Sequence, residues 1–399
     1  MVKKDINIII PVIGNSRWIG GLTYQENLID ALKTLPELSI TLTNELDHIV
    51  LTHKNQPAAS RVIDRAKKRF NGALNRISSW SKKYDADLQH KLDQCMNGQV
   101  NAIFTLNEAH LRGKNNIIKL YWIPDFQQMH LKHFFNKEDL DKRNARYREG
   151  CDLANRIIVS SENAKKDLEK FAPEQMHKCR VSSFVANIPS FIWDANPMVV
   201  VEKYSLPEKF FYLPNQLWKH KNHKVVFEAL HLLRKENIFP NLVCTGNPHD
   251  HRDPDFYKNL MKQAEDWNIK SQIRFLGMIP YEDVMILIRQ SIAVINPSLF
   301  EGWSTTVEES KSIGKQIILS DLDVHREQAP PKATFFDPRN AEELAGILKS
   351  KWSSLNPGPD AAMEAESKQQ LSVRMQNYAR SFVEIISEYH ETLLMKHHA

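Results

Sequence analysis

The chain is 399 residues long, 42% hydrophobic and 25% charged, with a formal net charge of +5. These values exclude a disordered, collagenous or coiled-coil protein, and the length calls for two or three domains of about 100–200 residues each. The longest apolar run, Ile6 to Ile13 broken only by Asn7, is far shorter than the ~20 residues a membrane-spanning helix requires.

The four cysteines, Cys95, Cys151, Cys179 and Cys244, have neither zinc-site nor disulfide-scaffold spacing. No charged start followed by an apolar core and a small-residue cleavage site appears, so a reducing cytosol is the expected location. Charge is uneven along the chain. Residues 1–190 carry 29 Lys and Arg against 21 Asp and Glu; the remainder carries 24 against 27. A basic front half suits an anionic partner such as phosphate or a lipid surface. Nucleic acid is not expected, because no zinc-finger, helix-turn-helix or RNA-binding signature is present.

In chain order, the apolar run 6–13 has strand length and ends at Gly14-Asn15-Ser16. A loop holding Gly20 and Gly21 then leads to a helix ending near Leu32. Strand-like runs recur at 49–52, 101–106, 117–122, 156–160 and 180–185, with helical stretches between most of them. The pattern fades over 186–207, which holds Pro189, Pro197 and Pro207, and the interdomain linker is expected there. A second series follows: strands at 210–213, 241–245, 273–276, 292–296 and 316–320, helices at 222–235, 254–267, 281–289 and 304–312. A Pro, Gly and Ser-rich stretch at 353–359 precedes a long helix over 364–395. The expected fold class is α/β, with two doubly wound, Rossmann-like domains facing across a cleft and a terminal helix. Domains are drawn at 1–190, 191–363 and 364–399, the last helix packing back on the first domain.

The segment Asn296-Pro-Ser-Leu-Phe-Glu301-Gly302-Trp303-Ser304-Thr305-Thr306-Val307-Glu308-Glu309 holds the densest chemistry. It lies where a strand hands over to a helix at the carboxyl edge of the second sheet, where open α/β folds bind ligands. Ser304 is a good N-cap, leaving the amides of Thr305, Thr306 and Val307 with the helix dipole behind them as a phosphate site. Glu301 and Glu309, eight positions apart, suit the vicinal hydroxyls of a sugar or ribose. The competing reading has Glu308 and Glu309 merely favouring a helix N-terminus and facing solvent.

These residues make the chain resemble the family 4 glycosyltransferases, which have the GT-B fold. The likeness rests on Glu301-x7-Glu309, on Gly314 through Asp321, and on Arg326-Glu327. It extends to Arg274-Phe-Leu-Gly277-Met278-Ile279-Pro280, to Gly246, to Pro214 through His223, and to Gly20-Gly21 and 156–161 in the front half. The resemblance implies a retaining, metal-independent hexosyl transfer, without cofactor, from a nucleotide-sugar. UDP-sugar is favoured over GDP-sugar, and the acceptor is a glycan or lipid-linked glycan of polysaccharide or glycolipid synthesis. It also implies roles. Lys221 neutralises the diphosphate, Glu309 holds the ribose, Glu301 holds the sugar, Met278 and Ile279 meet the base, and Ser304, Thr305 and Thr306 meet phosphate. Gly20 and Gly21 let backbone approach the diphosphate, Gly246 follows the preceding strand, and Gln216 lies in the diphosphate loop.

Two positions depart from the family pattern. Gln216 stands where many relatives have an arginine, and Pro124 precedes Asp125 where many have a histidine. Asp125 either orients the acceptor or closes a strand end. The metal reading of His220, His223, His249 and His251 is disfavoured because they fall in two loops. Over 61–83, eight basic residues and one acid surround an apolar face, which fits either a helix on the inner face of an anionic membrane or a solvated surface helix. A non-catalytic nucleotide-sugar-binding subunit and a sugar-nucleotide epimerase are the rival functions.

Overall fold

Runs of Ile, Val, Leu and Phe without polar alternation form strands buried on both faces, which a parallel sheet between two helix layers provides. The computed structural model describes residues 6–11, 19–35, 38–43, 100–113, 117–250 and 252–397. The expected strand at 49–52 and the basic stretch 61–83 lie outside them.

The first sheet is built from β1 (Ile6–Pro11), β2 (Leu38–Thr43), β3 (Val100–Thr105), β4 (Ile118–Ile123), β5 (Arg156–Val159) and β6 (Cys179–Val181). All pairings are parallel, in the order β2-β1-β3-β4-β5-β6. Helices α1 (Ile19–Leu32), α2 (Lys137–Leu153) and α3 (Glu162–Phe171) flank it. Gly20 and Gly21 stand in the first turn of α1, which corrects the expected loop. β2 has no counterpart in the sequence reading; Leu38-Ser-Ile-Thr-Leu-Thr is a short alternating run that β1 recruits as an edge.

The second sheet holds β7 (Phe211–Leu213), β8 (Leu242–Cys244), β9 (Ile273–Phe275), β10 (Val294–Asn296), β11 (Ile317–Ser320) and β12 (Thr334–Phe336). Its order is β12-β11-β10-β7-β8-β9, again all parallel. The helices are α4 (His223–Lys235), α5 (Phe256–Asp266), α6 (Tyr281–Gln290), α7 (Thr305–Ile313), α8 (Asp323–Gln328) and α9 (Ala341–Ser354). Every expected element of this half is present with each end no more than three residues from its expected place, while α8, β12 and α9 have no counterpart in the sequence pattern.

The stretch 186–207, expected as the interdomain linker, is ordered and packed. It contains two short helices, Phe191–Asp194 and Met198–Lys203, and buries Ile188, Ile192, Val200 and Val201 in the larger core cluster. The last helix, α10 (Ala361–His397), crosses between the two halves. Near its start, Glu364 receives Arg289 at 2.7 Å, and Arg374 reaches Glu308 of α7 at 2.6 Å. Farther on, Phe382 packs edge-on against Phe104 of β3, and Asn155 donates to the Tyr389 hydroxyl at 2.7 Å. Among the described residues no helix is long and apolar enough to cross a membrane. Cys151, Cys179 and Cys244 are buried free thiols.

Candidate functional site

In the second sheet β7 and β10 are neighbours although α4, β8, α5, β9 and α6 separate them in sequence, so chain order reverses between them. A doubly wound sheet opens a crevice at the carboxyl ends of such a strand pair. Pro214 and Pro297 end these strands, because proline cannot continue a central ladder. The two loops that leave are tied by buried polar groups. Asn215 donates to Asn296 at 3.2 Å, Asn296 donates to Ser304 Oγ at 2.7 Å, and Thr306 Oγ1 donates to Asn215 at 3.1 Å.

Lys221 closes a single 3₁₀ turn, Lys219–Lys221, whose partner loop supplies Glu301. Lys221 Nζ donates to Glu301 Oε1 at 2.6 Å, and Ser298 Oγ donates to the same oxygen at 2.6 Å. Burial pushes the Glu301 carboxyl up, but the Lys221 charge and these two hydrogen bonds outweigh it, so its pKa is lowered and it is ionised. The sequence reading gave the two residues separate ligands; the structure brings them together as one nearly buried ion pair.

Ser304 caps α7 as expected. Its Oγ accepts from Val307 N at 3.4 Å, which removes that amide from the free set, while its own N–H goes to Gln328 Oε1 at 3.0 Å. Glu308 and Glu309 are buried, so the solvent-facing reading fails for both. Glu308 pairs with Arg374, whereas among the described residues Glu309 meets the Tyr281 hydroxyl and no cation, and burial pushes its carboxyl up to about 8.

Gly246, two residues past β8, has φ +135°, and its N–H donates to Gly277 O at 2.9 Å. A Cβ there would stand 2.4 Å from Asn215 O, so only glycine lets the loops after β7 and β8 meet. Gln216 Oε1 accepts from Asn247 N at 2.8 Å, which ties the loop after β7 to the loop after β8. Met278 is exposed beyond β9, and Ile279 packs against the core. In the other half Gly20 is exposed and Gly21 buried. Asp125 at the end of β4 takes Arg143 at 2.5 Å and caps Gln127 N at 2.9 Å. Of the four histidines, His220 and His223 are buried, His249 is exposed, and His251 is outside the described residues. Among the described residues no three His, Cys, Asp or Glu side chains cluster to hold a metal ion.

The loop carrying Glu301 is also the surface on which the two halves meet. A Cβ on Gly302 would stand 2.2 Å from Pro124 O and 2.8 Å from Asp125 Cβ. Ser161 Oγ donates to Gly302 O at 2.9 Å, Trp303 Nε1 to Phe184 O at 3.1 Å, and Phe300 stacks on His130. Glu327 accepts from the N–H groups of Glu162 and Asn163 at 2.7 and 3.1 Å, which puts a carboxylate at the positive end of α3.

Sequence reasoning missed Arg252, Gln127 and Arg143. Arg252 donates from Nε to Asp250 at 3.1 Å and from Nη1 to Gln127 at 2.8 Å, and its Nη2 lies 3.1 Å from His220 Nδ1. Nothing in a lone arginine of a loop signals this; only the approach of the two halves assembles it.

Residues 200–378 match the family described as glycosyl transferases group 1. That match spans a little under half of the chain and covers the whole second sheet. A curated relative, the O-antigen chain mannosyltransferase RfbU of Salmonella typhimurium, is 22% identical over 144 residues. The aligned part covers 36% of this chain and 38% of that relative. A glycosyltransferase from Rickettsia africae superposes with TM-score 0.61 at 16% identity, covering 98% of this chain and 99% of its own. Anabaena Alr3699/HepE, solved with UDP and glucose, gives TM-score 0.59 at 15% identity, covering 98% and 100%. The fold is GT-B.

Proposed function

We propose that the protein is a retaining glycosyltransferase of family 4 type that moves a hexose from a nucleotide diphosphate sugar, a UDP-sugar first, to a glycan or lipid-linked acceptor. The observation that carries this reading is the Lys221–Glu301 pair at the β7/β10 crevice, on the loop that leads into α7, the helix that carries Glu309. UDP bound in a structural neighbour of the same fold supports the choice of base, and the O-antigen relative supports a surface polysaccharide as product. The protein works on the cytosolic side of a membrane, at its inner face where the acceptor is lipid-linked.

In this reading Lys221 and the free amides of Thr305 and Thr306 stabilise the diphosphate as the anomeric C–O bond breaks. Glu301 turns toward the sugar hydroxyls and Glu309 toward the ribose. The acceptor oxygen attacks from the face the phosphate leaves, and its proton passes to the departing phosphate oxygen. Asp125 orients the acceptor from the opposite half, and closure at Gly302 excludes water that would hydrolyse the donor. A thermal-shift panel of nucleotide-sugars, followed by detection of free nucleoside diphosphate on adding acceptor, tests the proposal. Stabilisation without diphosphate release, over a panel of glycan acceptors, would instead identify a binding subunit.

Two further results are expected. Transfer should persist in a strong chelator, since Lys221 and main-chain amides carry the charge a divalent ion would carry. Activity lost to chelator and restored by manganese or magnesium would overturn this. The second concerns pH. Glu309 holds its proton near neutrality, yet ribose hydroxyls are best accepted by the carboxylate, so donor binding should release a proton. UDP-glucose should therefore bind on the order of tenfold more tightly at pH 8.5 than at pH 6.5. The same group makes stability fall with pH: its contribution is complete below the unfolded value of about 4.3 and lost as pH rises through about 8. Glu309→Gln should flatten both profiles in calorimetry, and profiles unchanged by it would place the titration elsewhere.

A further inference from the structure

Lys221 owes its position to its neighbours more than to the sheet. The turn it ends is only three residues long and is gripped at both sides by the loop after β8. Asp250, fully buried as a side chain, accepts from Lys219 N at 3.1 Å through one oxygen and from Arg252 N at 3.0 Å through the other. Arg252 spans the rest. Its guanidinium donates to Asp250, to the ring of His220 directly before Lys221, and to Gln127 of the first half. Because Nη2 donates, His220 Nδ1 must accept, which fixes the tautomer with its proton on Nε2. Burial and the charges of Lys221, Arg252 and Arg143 keep that ring neutral. The His220 carbonyl in turn accepts from Leu299 N at 2.8 Å, two residues before Glu301. On the far side Gln127 N donates to Asp125, which also holds Arg143.

A continuous line of hydrogen bonds therefore runs from the Lys221 turn through Arg252 and Gln127 to Asp125. We propose that Arg252 is a positioning residue that holds the Lys221 turn and couples it, through Gln127, to the acceptor-side loop at Asp125. The planar fork suits three partners at fixed angles, which a lysine cannot reach together. Phe135 and Trp218 lie 5.5 and 5.8 Å from the guanidinium and confine it from both halves. The role assigned to Lys221 rests on the donor reading above; the mechanical coupling does not.

The test uses Gln127→Ala, which cuts the line on the first half while leaving the Arg252–Asp250 pair intact, and Gln127→Glu, which keeps an acceptor oxygen. The amides of Lys219, Lys221 and Asn222 are all hydrogen-bonded and report the turn directly. In full-length Gln127→Ala their hydrogen exchange should speed up about tenfold while β7 amides are unchanged, as for a local opening. UDP should bind that variant several-fold more weakly, and Gln127→Glu should behave as wild type in both measurements. Arg252→Lys should give the Ala phenotype despite keeping the charge. Exchange at 219–222 unchanged in Gln127→Ala, or equally fast in Gln127→Glu, would overturn the coupling. If the exchange pattern holds but wild type fails to bind UDP, the positioning role stands and the donor reading falls.

Discussion

Lys221→Ala should lower sugar transfer on the order of 10²-fold or more, because it removes the side-chain cation that meets charge developing on the leaving diphosphate. The structure adds a second consequence. Lys221 and Glu301 side chains are 15% and 9% exposed, and removing the lysine leaves a nearly buried ionised carboxylate that keeps the Ser298 hydrogen bond but loses its cation. Breaking a buried pair from one side costs about 3–5 kcal/mol, more than the intact pair itself contributes. The single variant should thus lose activity and several degrees of thermal midpoint together. Lys221→Met with Glu301→Gln should recover the midpoint, since no lone charge remains, and should not recover transfer. The double variant therefore separates chemistry from folding. Wild-type turnover in Lys221→Ala would mean that another cation meets the diphosphate, whatever happens to the midpoint.

The second large effect is expected at Gly302. An alanine Cβ would lie 2.2 Å from a carbonyl oxygen and 2.8 Å from Asp125 Cβ, so the first half has to move away. That movement breaks the Ser161–Gly302 bond and draws Glu327 off the start of α3. A displacement of about 1 Å between reacting groups costs on the order of 10²-fold in rate. UDP-glucose binding should weaken far less, because Lys221, Glu309 and the start of α7 all belong to the second half. Small-angle scattering should report a larger radius for Gly302→Ala than for wild type, with an unchanged circular dichroism spectrum. Full transfer by this variant would show that the contact between Gly302 and Pro124 plays no part in the reactive arrangement.

Much of the second half was legible before any coordinates. Its strands are short, mainly apolar runs, most of them followed within a few residues by Pro or Gly, and α7 and α9 begin at the side-chain caps Ser304 and Asn340, so pattern and structure agree within a few residues. Ser304 caps α7, and Glu301 and Glu309 fall on either side of that helix start, as spacing requires. The first half was less legible. Gly20 and Gly21 weaken a helical pattern, yet the helix begins at Ile19 because Gly21, Tyr24 and Leu28 find a buried face. The Pro-containing stretch 186–207 reads as the interdomain linker because proline interrupts periodicity, and pattern alone does not show that its Ile and Val residues are drawn into the core.

What the sequence by itself determined was the alternation of strands and helices, and hence two doubly wound sheets with a carboxyl-edge crevice. It also determined which residue types stand there, since local propensity and patterning act over a few neighbouring residues. The pairing partners were decided only by tertiary structure. Lys221 meets Glu301 across 80 positions, Arg252 meets Gln127 across 125, and Glu327 meets Glu162 across 165. Periodicity carries no information over such separations. The ionisation of these groups follows the same division, because it depends on how much water the assembled halves exclude and which charges they bring together. Glu309, next to Glu308 in sequence, is left with a tyrosine where its neighbour received an arginine, and that difference arises only when α10 packs on one side of α7 and not the other.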